Sequence, residues 1–146
     1  MTKLITPLCL AACLALAAPA TAAVQTFGPD FSKFTIDVPD GWTAKPQDGG
    51  CQLISPDQNS SFSVQVQKNG GKSASELIKL IGNQLGGKIL LSKDMNPNQS
   101  IMEVELNGVK LKLMVMVEGD KFLTVTMAGS DEDTMTKIMD TVKEAK

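Results

Sequence analysis

Apolar and polar residues alternate at Phe34-Thr35-Ile36-Asp37-Val38 and at Phe62-Ser63-Val64-Gln65-Val66-Gln67, the pattern of strands with one buried face. Pro39-Asp40-Gly41 stops the first run with turn chemistry, and Asn69-Gly70-Gly71 stops the second. Between them, residues 51–55 read as a short strand closed by Pro56, with turn-rich segments at 46–50 and 57–60. The period then becomes helical. Ser73-Ala74-Ser75-Glu76 is a capping box, in which the Ser73 hydroxyl accepts from the Glu76 N–H and the Glu76 carboxylate reaches back. Leu77, Leu80, Ile81 and Leu85 share one face of the predicted helix, and Gly86-Gly87 ends it. Gly82 and Gly86 leave that helix a flat spot suited to close packing.

The second half of the chain predicts its own register. A strand over 88–95 ends at Asn96-Pro97-Asn98. Strands over 101–106 and 109–117 flank Asn107-Gly108, a strong two-residue hairpin signal. That turn sets Leu106 opposite Val109, Glu105 opposite Lys110 and Glu103 opposite Lys112. Met102 and Val104 then meet Leu113 and Leu111 on the other face. Each charge pair contributes only about 0.2–1 kcal/mol, so the apolar face sets the register and the charges agree with it. A second turn at Gly119-Asp120 places Glu118, Met116 and Met114 opposite Lys121, Leu123 and Val125. Both faces of this pair are apolar, as in central strands covered on both sides. A last helix follows, with Ser130 as its predicted N-cap and Asp131, Glu132 and Asp133 at the positive end of its dipole. Its stripe is Met135, Ile138, Met139 and Val142, with Lys143 and Lys146 at the negative end.

The first residues have a different character. Lys3 precedes an apolar run over 4–18, and Ala18-Pro19-Ala20-Thr21-Ala22-Ala23 supplies small residues for cleavage. This is the layout of a secretory signal peptide, with cleavage expected near Ala22. The run is short against the roughly 20 residues that a membrane span needs. Leu10-Ala11-Ala12-Cys13 gives the alternative of a lipoprotein anchored through Cys13, the only route by which a membrane becomes a partner. The expected layout is therefore a signal peptide over 1–22, a loose segment over 23–30 and one α+β domain over 31–146. Export places the protein in the periplasm or the medium, and cleavage removes Cys9 and Cys13, so that Cys51 alone remains. One thiol builds no internal disulfide framework.

Composition narrows the chemistry. The chain of 146 residues has no His, no Tyr and no Arg, and all 14 basic residues are Lys. It therefore lacks an imidazole base or metal ligand and a guanidinium fork for phosphate. The net charge is −2 with the two signs interspersed, which argues against nucleic acid as a partner. There is no Gly-x-Ser-x-Gly, Ser-x-x-Lys, phosphate loop or dinucleotide fingerprint. The pairs Asp37/Asp40 and Asp131/Asp133 are explained by a turn and a helix cap. The chain reads as a non-enzyme without a cofactor.

The order of strands and helices, with the Phe34-Thr35-Ile36-Asp37-Val38 strand running into Pro39-Asp40-Gly41-Trp42, resembles the PsbP-like superfamily. Within it, the exported bacterial proteins of the DcrB type are most similar, given the leader. The resemblance implies an antiparallel sheet sandwiched by helices, and no common catalytic activity. It carries over no site, because metal contacts in photosystem members lean on residues such as His.

The expected function is protein contact or envelope-complex assembly, with an envelope protein or complex as the partner. Trp42, the only Trp, is a possible anchor for that partner, or packs against its own sheet. The alternative is a small-molecule or copper(I)-binding periplasmic module. Met114 and Met116 share one face of a strand with Met127 beside them, and thioethers suit soft Cu(I). The competing reading packs them as adaptable core side chains under Met135 and Met139.

Overall fold

In the computed structural model, which describes residues 23–146, the Asn107-Gly108 turn organises the sheet. Both residues have positive φ, 52° and 79°, as a two-residue turn matched to strand twist requires. The turn joins β7 (Gln99–Leu106) to β8 (Val109–Glu118), and the pairs run Leu106 with Val109, Glu105 with Lys110, Glu103 with Lys112 and Met102 with Leu113. β9 (Lys121–Gly129) returns on β8 with Glu118 opposite Lys121, Met116 opposite Leu123 and Met114 opposite Val125. All of these are the predicted partners.

Four more strands complete a seven-stranded sheet. β3 (Thr43–Gln47), β4 (Gly50–Ile54) and β5 (Ser60–Lys68) add to the free side of β9, and β6 (Lys88–Asn96) pairs with β7. The order is β3-β4-β5-β9-β8-β7-β6, antiparallel at every step. On one face, α1 (Ala74–Leu85) buries Ala74, Leu77 and Ile78 against Met102, Val104, Leu113 and Val115. On the other, β2 (Phe34–Val38) and α2 (Glu132–Thr141) cover β4, β5 and β9. Ile36, Leu53, Phe62, Val64, Met135 and Ile138 form that core. The protein is thus a single α+β domain whose antiparallel sheet lies between helices.

Several details differ from the sequence reading, each for a physical reason. Residues 23–27 of the expected loose segment form β1 (Ala23–Phe27), paired with β2 from Ala23–Val38 to Phe27–Phe34. The backbone ladder holds it and its side chains stay largely exposed, so no hydrophobic period announces it. β3 occupies part of the expected turn at 46–50. Pro46 is tolerated because β3 is an edge strand. On α1, Leu80 is 46% exposed and Ile78 takes its place in the core. The N-cap of α2 is Asp131, not Ser130; its carboxylate accepts from the Thr134 N–H at 3.2 Å. After Thr141 the chain extends, and β10 (Lys143–Glu144) joins β1 and β2 in a small three-stranded sheet. The expected signal peptide, with Ala22 and Cys13, lies outside the described residues. Among the described residues no helix is long and apolar enough to cross a membrane.

Candidate functional site

The layer of α2, β2 and β10 is narrower than the sheet it covers. α2 packs on β2 and β9. At the end of the sheet where β8 meets β9, the sheet and that layer leave a cleft of about 510 Å³ between them. Val66, Met116, Leu123 and Val125 form its floor, and Phe34, Met139 and Val142 its wall. The turn between β6 and β7 supplies one rim through Asn96, Asn98 and Gln99. That turn is tied down where the Val117 N–H donates to the Asn98 carbonyl at 2.8 Å.

The opposite rim is charged. Lys121 Nζ donates to Ser32 Oγ and to Glu144 Oε1, both at 3.0 Å. The Glu144 hydrogen bond holds the Lys121 ammonium above its usual pKa, against the opposing effect of desolvation. Glu118, Lys143 and Lys33 complete this rim, and Lys33 is turned to Asp30 and the Gly28 carbonyl. The sequence paired Glu118 with Lys121 and set Lys143 at a helix end, but it assigned none of these polar residues to a site. Lys121 and Glu144 lie 23 residues apart, and the docking of β10 on β2 brings them together.

The methionines divide. Met114, Met116 and Met127 do share the face turned toward α2, as the register predicts. Met114 and Met127 pack against the core, and the Met114 sulfur accepts from Gln99 Nε2 at 3.0 Å. Met116 is half-buried and opens on the cleft, with Met139 on the opposing wall. Among the described residues no three His, Cys, Asp or Glu side chains cluster as metal ligands. Cys51 is fully buried, and desolvation pushes its thiol up to about 12, far from the reactive range. Trp42 follows its turn, with its backbone N–H donating to the Pro39 carbonyl, and packs half-buried against the core that Ile36, Leu53 and Phe62 share.

A second feature lies at the sheet edge. β6 carries Ile89, Leu90, Leu91 and Met95, each at least 39% exposed and together half of the large exposed apolar side chains among the described residues. Its pairing with β7 is interrupted by bulges at Leu90 and Met95, and Lys88 and Lys93 sit on it. Bulges and lysines discourage addition of a further strand. The strand therefore presents apolar side chains more readily than open backbone.

Comparison with solved structures places this architecture. The chain is similar to cyanobacterial PsbP (CyanoP) from Synechocystis sp. PCC 6803, with a TM-score of 0.59 and 10% identity over 93% of this chain and 99% of that one. The fold is PsbP-like. A second similar structure, from Bacteroides thetaiotaomicron VPI-5482, has a TM-score of 0.50 and 14% identity, covering 77% of this chain and 45% of that one. No family model and no curated protein matches the sequence. At such identities the likeness shows a PsbP-like fold and carries over no site. The cleft and the β6 edge therefore have to be read from this chain's own residues.

Proposed function

We propose that the protein is an exported, non-enzymatic module that works through contacts with a protein or complex of the cell envelope, in the manner of the DcrB-type proteins. The observation that carries this reading is the β6 edge, where Ile89, Leu90, Leu91 and Met95 stay in water although the sheet has two covered faces. Four exposed apolar side chains concentrated on one edge strand, some on each side of it, mark an interaction surface more often than a lone exposed Leu does. The leader supports export, and the absence of His and Arg supports a role without catalysis. The test is a Leu90→Lys/Leu91→Lys variant compared with the parent by cross-linking in envelope extracts. Both changes fall on exposed positions, so the variant should melt with the parent and lose its cross-linked partners. Recovery of the same partners by the folded variant would defeat the reading.

The cleft favours a second reading, a small-molecule module. Its volume lies within the roughly 300–1,000 Å³ of ligand pockets, and its floor is apolar. Copper(I) is the weaker form of this alternative, because Met114 and Met127 are engaged in packing while only Met116 faces the opening.

A further inference from the structure

We propose that the cleft binds a single-chain amphiphile with one negative charge, its alkyl tail on the Met116–Leu123 floor and its head at Lys121. The inference is independent of the β6 edge. It rests on what the cleft asks of an occupant and on what it repels.

The interior asks for alkyl surface. Met116, Leu123, Met139 and Val142 are half-buried around the opening, so covering them removes apolar area from water. Two of the four are thioethers, which adapt to an irregular chain more readily than branched side chains do. Among the described residues every buried side-chain nitrogen and oxygen already has a partner. The interior therefore offers no unanswered hydrogen bond to a polar ligand, and selection for a polar group has to come from the rim.

The rim asks for one anion. An ammonium has three donors, and Lys121 spends two, on Ser32 and Glu144. Its side chain is 20% exposed and its ammonium reaches the cleft mouth, so the third N–H remains for a charge-assisted bond to an anion. Lys143 adds a second positive charge and makes no ion pair among the described residues, whereas Lys33, the third lysine of the lining, is paired with Asp30. Glu118 and Glu144 stand on the same rim and repel a doubly charged head such as a phosphate monoester. A carboxylate or a phosphodiester on one acyl chain meets both conditions. Such chemistry comes from a free fatty acid or from a single-chain membrane lipid.

Titration calorimetry with dodecanoate, lysophosphatidylglycerol and dodecyl maltoside, each below its micelle concentration, tests the proposal on the leaderless chain. Dodecanoate or lysophosphatidylglycerol should bind saturably at one per chain, and the tighter of the two identifies the source. In a parallel nitrogen-15 NMR titration, the amides of Met116, Leu123 and Val142 should shift most. Lys121→Met should weaken the anionic ligands about tenfold, the loss of one hydrogen bond to a charged group, and leave dodecyl maltoside unchanged. Met116→Trp, at a half-buried position that tolerates added volume, should fill the cleft and weaken all three. If Lys121→Met unfolds, the NMR map on the parent protein still decides. Absence of saturable binding by either anion, shifts centred elsewhere, or binding that survives Met116→Trp would overturn the proposal.

Discussion

Replacing Gly82 with Ala tests how closely α1 is seated on the sheet, because two effects of similar size oppose each other there. In a helix interior, Ala is about 1 kcal/mol more favourable than Gly. At this position, however, a Cβ would overlap the Met102 sulfur and lie 3.1 Å from its Cε. Met102 is 1% exposed, locked between α1 and β8, so its thioether cannot swing into water. Overpacking of a close-packed site costs about 1–3 kcal/mol. The packing cost exceeds the helical gain, and Gly82→Ala should destabilise by about 1 kcal/mol. Met102→Ala alone should cost about 2–5 kcal/mol by leaving a cavity. In that background the new Cβ enters vacated space, and Gly82→Ala should become stabilising by about 1 kcal/mol. The double-mutant cycle then closes on a coupling of about 2 kcal/mol, in the range of residues in contact. Urea unfolding followed by the fluorescence of Trp42, the single tryptophan, measures all four proteins. Stabilisation by Gly82→Ala in both backgrounds would refute the seating of α1 on β7.

Three further outcomes are expected. The Cys51 thiol should resist a thiol-specific reagent until the protein unfolds, because burial pushes it up to about 12, and Cys51→Ser should cost about 1–3 kcal/mol by burying a hydroxyl among aliphatic neighbours; rapid native labelling would count against this. Hydrogen bonds from the Ser73 N–H and then its hydroxyl hold Glu76 below the usual carboxylate range, so the capping box contributes above the unfolded pKa and is lost as pH falls through the folded one; Glu76→Gln should flatten the acid limb of the stability curve, and matching acid profiles would disprove that contribution. Ile138→Asp buries an unpaired charge in a side chain 1% exposed and should leave the protein unfolded, whereas Met116→Asp faces the cleft and should cost only about 1–2 kcal/mol; equal losses in thermal melts would show that the cleft is closed.

The sequence made one kind of information legible and hid another. Strand pairing from Ile101 to Ala128 followed from two short turns, because a hairpin turn fixes register and a period of two fixes the face. The Ser73 capping box was equally readable, since all of its partners lie within four residues. β1 was not readable: its order comes from a backbone ladder with β2 and not from buried side chains. The Leu80 and Ile78 exchange on α1 was hidden because 3.6-residue spacing admits both stripes, and the sheet beneath selects between them. The site was the least legible part. Met116 stood out as one of a methionine pair, but its opening on a cleft depends on how far α2 reaches. The Lys121 rim depends on β10, two residues that carried no strand signal.

The β6–β7 hairpin belongs to both candidate surfaces, and this ties the two proposals together. Its strand carries Leu90, Leu91 and Met95, and its turn gives Asn96 and Asn98 to the cleft rim. The Asn98 carbonyl is held by the Val117 N–H, and the Asp94 carboxylate by Ser100 Oγ at 2.6 Å, so the turn is braced at two points with the Met95 bulge close by. An anion seated at Lys121 with its tail against Met116 closes the third side of that turn. Ordering the turn should also order the bulge next to it, so amide exchange across 93–98 should slow when dodecanoate saturates the cleft. If that occurs, coupling between the surfaces is reciprocal: a partner bound at β6 must change dodecanoate affinity by the factor by which dodecanoate changes the partner's. Hydrogen exchange with and without dodecanoate measures the first half, and calorimetry in the presence of the β6 partner the second. Unchanged exchange across 93–98 at full occupancy would show that the cleft and the edge act as separate sites.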